Sequence, residues 1–258
     1  MSKANAIEAV LITGATGAIG SALARAYAAP GVTLFLQGRK VDQLATVTDQ
    51  CQLLGAHVET AAFDLREREQ LSRWLTQACQ QRVPDLIIVN AAININGGGE
   101  QVGENWQDIE TLLEVNIRAA LATVNGVLPA MRLRGRGQIA LVSSLAAYHG
   151  LPMTPSYCAS KAALKAYGEG LRSWLAPQGI RVNVIMPGYV ESAMCDAMPG
   201  PKPFLWSPDR AATAIKRGLA ANKARISFPF PLNFATWFLA VLPAGLSQRL
   251  LGLFGYAA

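Results

Sequence analysis

Short apolar, β-branched runs alternate with helix-length amphipathic stretches along nearly the whole chain, and this alternation limits the fold more than any other feature. VLIT (10–13) is followed by Ile19, Leu23 and Tyr27 at i, i+4 and i+8, and Pro30-Gly31 supplies the stop. VTLFLQ (32–37) precedes Val41, Leu44, Val47/Thr48 and Cys51, with Gly55 where a C-cap glycine belongs. HVETAAF (57–63) leads into a helix over 67–81 with Leu71, Trp74, Leu75 and Ala78 inward. LIIVN (86–90) is apolar without interruption, as in a parallel strand buried on both faces. Beyond a loop with Gly97, Gly98, Gly99 and Gly103, the spacing of Trp106, Ile109, Leu112/Leu113, Asn116, Ala120 and Val124 predicts one long helix. QIALVS (138–143), a helix over 156–176 and RVNVIM (181–186) follow. A helix opened by Ser207-Pro208-Asp209 runs to about Asn222, and RISF (225–228) is a last short strand. The pattern predicts a single α/β domain over 1–258, a doubly wound parallel sheet with helices on both faces.

Composition removes several other classes. At 51% hydrophobic residues the chain is not disordered, and its 258 residues suit one α/β domain. Only 16% are charged, against about 25% in an ordinary domain, which implies extra apolar surface at an interface. The net charge of +6 is dispersed. Its densest cluster, Arg132, Arg134 and Arg136, forms no continuous stripe with aromatics, so nucleic acid is not an expected partner. Cys51, Cys79, Cys158 and Cys195 have no paired spacing, and the two histidines are His57 and His149. Neither a metal site nor a disulfide framework is expected, and reduced thiols fit a cytoplasmic protein. The apolar run in MSKANAIEAVLITG is too short for a signal peptide.

TGATGAIG (13–20) stands between the first strand and the first helix. Glycine there allows a tight turn and close backbone approach to a pyrophosphate, and the helix N-terminus offers free N–H donors. No lysine follows in a phosphate-loop arrangement. The second strand ends in Gln37-Gly38-Arg39-Lys40. An acidic residue at that position would hold the ribose 2′-hydroxyl of NAD, whereas Arg39 and Lys40 suit the 2′-phosphate of NADP. Asp64, ending the third strand, is a candidate acceptor for the adenine amino group or a helix N-cap.

Tyr157 and Lys161 in YCASK are four apart and share one helix face. A free tyrosine ionises near ~10, and a neighbouring ammonium lowers the cost of the phenolate. Ser143 and Ser144 end the fifth strand, at the sheet edge where open α/β folds bind ligands. A hydroxyl there could hold a substrate oxygen. Asn116, polar on an apolar helix face, is either a satisfied buried amide or a relay that fixes a water or a backbone carbonyl.

Taken in order over residues 8–228, these motifs resemble the short-chain dehydrogenase/reductase family in its compact, Rossmann-like, single-domain form. TGATGAIG resembles TGxxxGxG with Ala18 for the middle glycine; VNAA (89–92) resembles NNAG; YCASK matches YxASK. PGYVESAM (187–194) resembles PGxxxTxM with Ser192 for Thr, and Ser144 stands thirteen residues before Tyr157. The resemblance implies NADP(H)-dependent interconversion of a carbonyl and an alcohol on a small, partly apolar substrate. Tyr157 would be the proton donor, Lys161 would bind ribose and bias Tyr157, Ser144 would orient the substrate oxygen, and Asn116 would support a relay. It also implies cofactor contacts from Gly14, Thr16, Ala18, Ile19, Gly20, Arg39, Lys40, Asp64, Leu65, Asn90, Ala91, Pro187, Gly188, Val190 and Ser192, besides Tyr157 and Lys161. Two departures keep alternatives open. Ala92 replaces the NNAG glycine, and TGATGAIG also satisfies TGxxGxxG of the extended epimerases and dehydratases. The alternatives are such an enzyme, or a non-catalytic NADP-binding sensor.

The segment 193–206, with Met194, Met198, Phe204 and Trp206, falls where the family's substrate lid lies. From Ile226 to Gln248 no residue is charged, and Pro229, Pro231 and Pro243 interrupt any spanning helix. For this apolar tail, 229–258, a subunit interface of a homodimer or homotetramer, a wall of the substrate pocket and peripheral membrane contact are the open readings.

Overall fold

The computed structural model describes residues 7–95, 103–198 and 200–253. Among them, seven parallel strands form one sheet in the order β3-β2-β1-β4-β5-β6-β7. The strands are β1 (Ala9–Thr13), β2 (Thr33–Gly38), β3 (His57–Ala62), β4 (Leu86–Val89), β5 (Gly137–Val142), β6 (Ile180–Pro187) and β7 (Arg225–Phe228). The strand order reverses between β1 and β4, so the loops at their carboxyl ends diverge and leave a crevice. Every residue of β1 and of β4 is buried, which explains why LIIV lacks the alternation of a half-exposed strand.

Two apolar layers enclose the sheet. On one face Val10, Ile12, Leu34 and Leu36 pack against Leu23 of α1 (Ala18–Tyr27), Leu44 of α2 (Val41–Leu53) and Ile215 of α8 (Pro208–Ala220). On the other, Leu11, Phe35, Ile87 and Leu141 pack against Leu75 of α3 (Arg68–Gln81), Val124 of α5 (Ala120–Arg134) and Leu164 of α6 (Pro155–Leu175).

The long helix expected from Trp106 onward is interrupted. The chain forms α4 (Trp106–Leu113), then a π-helical turn over Glu114–Ala119, then α5, which continues through Pro129 to Arg134. Asn116 sits within that widened turn with no solvent exposure. The Asn105 side chain accepts from Gln107 N and starts α4.

Among its described residues the segment 193–206, expected as a lid, forms a short helix, α7 (Ala193–Asp196), capped by the Ser192 side chain accepting from Cys195 N. Its base is clipped: Trp206 N donates to Tyr189 O and Glu191 N to Trp206 O, while the Trp206 ring stacks on Phe228 at 4.9 Å. The apolar tail folds as two helices, α9 (Leu232–Val241) and α10 (Ala244–Leu253), split at Pro243. Among the described residues no helix is long and apolar enough to cross a membrane.

Candidate active site

The glycine-rich turn is shaped from below. Gly14 has φ +64°, and a Cβ there would lie 2.8 Å from Ala91 Cα, so only glycine fits both the backbone and the space. Gln37 Oε1 accepts from Gly14 N at 3.1 Å, while Gln37 Nε2 donates to Phe63 O at 2.7 Å. Asn90 Nδ2 donates to Thr13 O and to Gly14 O, and Thr13 Oγ1 accepts from Asn90 N and Ala91 N. The turn is thereby tied to the ends of β2 and β4, and α1 begins at Ala18 with its N-terminus facing the crevice.

One cavity of about 1290 Å³ runs from this turn to the tail helices. It is lined by Gly14, Thr16, Ala18, Ile19, Arg39, Lys40, Asp64, Leu65, Asn90, Ala91, Ser144, Tyr157, Lys161, Pro187, Gly188, Val190 and Ser192, all expected from the sequence. Ala92, in the place of the NNAG glycine, also lines it.

Two expected residues stand behind the lining. A Cβ on Gly20 would lie 2.2 Å from Gly14 O, so this glycine allows the helix to close onto the turn. Asn116 Oδ1 accepts from Ile93 N at 2.8 Å, and its Nδ2 donates to Ile93 O at 2.9 Å and Ser160 Oγ at 3.1 Å. It grips both backbone groups of a lining residue and links them to α6. These contacts satisfy the buried amide and at the same time fix the Ile93 carbonyl, so they fit both readings.

The adenosine end carries charge. Arg39 and Lys40 are exposed at the end of β2 and border the cavity. Asp64 is held by Arg66, whose Nε and Nη2 donate to the two carboxylate oxygens at 3.1 and 2.9 Å. That guanidinium keeps the Asp64 carboxyl below the usual carboxylate range. An Asp64 acceptor role toward an adenine amino group would use the remaining lone pairs.

At the other end the two serines of β5 part ways. Ser143 is buried and donates to Lys161 O at 2.7 Å, which fixes α6 against the sheet. Ser144 Oγ accepts from Ala146 N at 3.1 Å and donates to Pro187 O at 3.4 Å, and it lies close enough to the Tyr157 phenol to lower its pKa. The residues alone offered both serines and the resemblance singled out Ser144; of the two, Ser144 is the one that acts on the Tyr157 phenol.

Lys161 is 2% exposed, donates from Nζ to Val142 O at 3.0 Å and lies 5.5 Å from the centroid of the Tyr157 ring. Burial draws its ammonium down to about 8. The phenol of Tyr157 is pushed up to about 12, chiefly by burial, with the Ser144 hydroxyl opposing. A depression of Tyr157 by Lys161 was expected. Desolvation instead dominates both groups and leaves Tyr157 a protonated phenol, the form a proton donor needs.

Three further positioning residues had weaker signals. Gln37 is a polar residue closing an apolar strand, and Ser160 follows Tyr157 by three. Glu104 accepts from Ser156 N at 3.2 Å and so caps the helix that carries Tyr157.

The chain can hold a dinucleotide on this evidence of its own. The crevice has a helix N-terminus, a glycine turn that admits backbone approach, cations at one end and a buried lysine at the other. Among the described residues, Val142 O alone accepts from Lys161 Nζ. Residues 8–200 match the family model described as short chain dehydrogenase. A Myxococcus xanthus protein named as an uncharacterized oxidoreductase is 34% identical over 234 residues, 90% of this chain and 92% of that protein. A short-chain dehydrogenase from Sphingobium yanoikuyae in complex with NADPH superposes with a TM-score of 0.81 at 24% identity, over 98% of this chain and 97% of that one. A short chain dehydrogenase from Mycobacterium paratuberculosis bound to NAD gives 0.75 at 21%, over 88% and 98%. These two structures share the fold.

Proposed function

The chain belongs to the short-chain dehydrogenase family of oxidoreductases, whose cofactors are nicotinamide dinucleotides, and from that premise we propose that it interconverts a carbonyl and an alcohol using NADP(H). The observation that carries the reading is that Ser144, Tyr157 and buried Lys161, whose Nζ lies 5.5 Å from the Tyr157 ring centroid, line the same cavity as the glycine turn.

When bound, NADPH supplies a hydride to a carbonyl carbon, or NADP takes one from an alcohol. The chain does the rest. Ser144 and Tyr157 hold the substrate oxygen from two hydroxyls, so donors already aimed meet the negative charge that develops there. Tyr157 gives its phenolic proton to that oxygen in reduction and takes it back in oxidation. Lys161 binds ribose hydroxyls through the ammonium donors that Val142 O does not take. Asn116 and Gln37 act at one remove by holding Ile93 and Gly14 in position.

The NADP preference is supported by Arg39 and Lys40 at the cavity rim and by the lack of an acidic residue directly after β2. A guanidinium pairs bidentately with a phosphate but gains less from a ribose hydroxyl.

The test is a screen for NADPH consumption over ketones, aldehydes and sugar-like carbonyls, repeated with Tyr157→Phe. The variant keeps the ring and removes the proton. Turnover should fall by about 10²-fold or more while NADPH affinity changes less than a few-fold. Most of the wild-type rate surviving in Tyr157→Phe would overturn the assignment of the donor.

A further inference from the structure

The cavity is larger than a cofactor crevice alone requires. Its volume of about 1290 Å³ exceeds the about 300–1,000 Å³ usual for a ligand pocket. Its charged lining residues, Arg39, Lys40, Asp64 and Lys161, all lie in the part built from the ends of β2 and β3 and from α6. Beyond Ser144 and Tyr157 the described lining carries no charged side chain. There the lid contributes Met194, Met198 and Phe204, and the tail helices contribute Leu232, Leu239 and Leu251.

The polar groups in this part are already engaged with protein. His149 pairs Nδ1 with Gly150 O at 2.9 Å and Nε2 with Ser247 Oγ at 3.0 Å. A carbonyl can only accept, so Nδ1 carries a proton in that pair. Thr236 Oγ1 donates back to Leu232 O at 3.0 Å, within its own helix.

Helix α9 supplies the decisive pattern. Leu232, Ala235, Thr236 and Leu239 all line the cavity and follow i, i+3, i+4 and i+7. That spacing is the stripe a helix normally buries in a core. Yet no residue of α9 is buried. Leu232 anchors the stripe against Leu145 and Met186, and beyond it Ala235, Thr236 and Leu239 face the same cavity as Ser144 and Tyr157.

Resting on the oxidoreductase reading above, we propose that the substrate is a neutral carbonyl compound bearing an extended hydrocarbon portion, which lies along the cavity stripe of α9 and is covered by the lid methionines. The carbonyl sits at Ser144 and Tyr157, and the hydrocarbon runs away from the charged cofactor end. Leu232, Ala235 and Leu239 set the length that fits, so α9 determines specificity. The removal of hydrocarbon from water drives binding, and a charged group at the far end of the chain meets no counter-charge.

The test uses the full-length protein loaded with NADP for calorimetric binding, and with NADPH for turnover. The ligands are linear methyl ketones from 2-butanone to 2-decanone, and the same ketones ending in a carboxylate. Affinity and kcat/KM should each rise about fourfold per added methylene until the stripe is filled. The carboxylate-ended series should lose most of that gain. In Ala235→Phe, an exposed position where a larger side chain narrows the cavity, the rise should stop at shorter chains. Length-independent binding and turnover, equal acceptance of the carboxylate series, or an unchanged length limit in Ala235→Phe would each overturn the proposal while leaving carbonyl reduction intact. Length-dependent binding without NADPH oxidation would support the stripe and count against the oxidoreductase reading for these ketones.

Discussion

In the proposed NADP preference, Arg39 is the residue on which the choice of cofactor most depends. It stands at the end of β2 and borders the cavity near enough to Asp64 to lower its carboxyl, though less than Arg66 does. Arg39→Asp exchanges a donor for a repelling charge at the 2′-phosphate. Charge-assisted hydrogen bonds contribute about 1.5–3 kcal/mol. NADP affinity should therefore fall by about 10²-fold, NAD affinity should hold or improve, and parallel titrations of the two cofactors measure both. Wild-type protein binding NAD more tightly than NADP would contradict the assignment. At this scale spacing foretold placement: Tyr157 and Lys161, four apart, lie together on α6, and Gly14 stands in the turn. Chemistry alone did not separate the adjacent Ser143 and Ser144, and only the resemblance chose Ser144; the turn after β5 sends the first hydroxyl to Lys161 O and the second to Pro187 O, beside Tyr157. Gln37 escaped notice because its partners, Gly14 and Phe63, lie 23 and 26 residues away along the chain.

Among the elements, the π-helical turn at Glu114–Ala119 is the one that periodicity concealed. An extra residue in one turn leaves the apolar spacing on either side intact, so Asn116, Ala120 and Val124 still read as one regular helix. The widened turn holds Asn116 where its amide meets both backbone groups of Ile93. Asn116→Ala leaves that N–H and C=O without their partner, at about 1–3 kcal/mol for each group that water does not reach. Denaturant unfolding should show a loss of about 2 kcal/mol or more, with Asn116→Asp intermediate because it can still accept from Ile93 N. Unchanged stability in Asn116→Ala would remove its positioning role. Helix α9 teaches the converse. Its lack of charge was plain in the sequence, but which flank faced a cavity depended on how Pro229 and Pro231 lead the chain from β7, which no periodicity encodes.

Over the whole molecule, the doubly wound parallel architecture was legible because alternating β and α units admit few right-handed arrangements. The role of the tail was not, because an apolar helix suits a pocket, a partner or a lipid surface equally well in sequence. One side of α9 lines the cavity, while Phe230, Phe234, Trp237 and Val241 remain exposed, Phe230 at 78%. Contiguous apolar patches beyond several hundred Å² rarely stay uncovered in soluble monomers. We therefore expect a homodimer or homotetramer with that outer face partly covered. Cutting the chain after Pro229 should lower the sedimenting mass toward the monomer or increase binding of an apolar dye. A full-length protein that sediments as a monomer and floats with liposomes would assign the face to lipid instead.

At all three scales the proposed function turns on one chemical event, the passage of hydride between cofactor and substrate carbon while Tyr157 moves the proton. The direct measurement follows deuterium from the transferred C4 position of NADPH during turnover of an accepted ketone. The account predicts one deuterium on the carbinol carbon of the alcohol and one NADPH oxidised per alcohol formed. Product formed with the label still on the cofactor and no net NADPH oxidation, as in an epimerase or dehydratase, would contradict it.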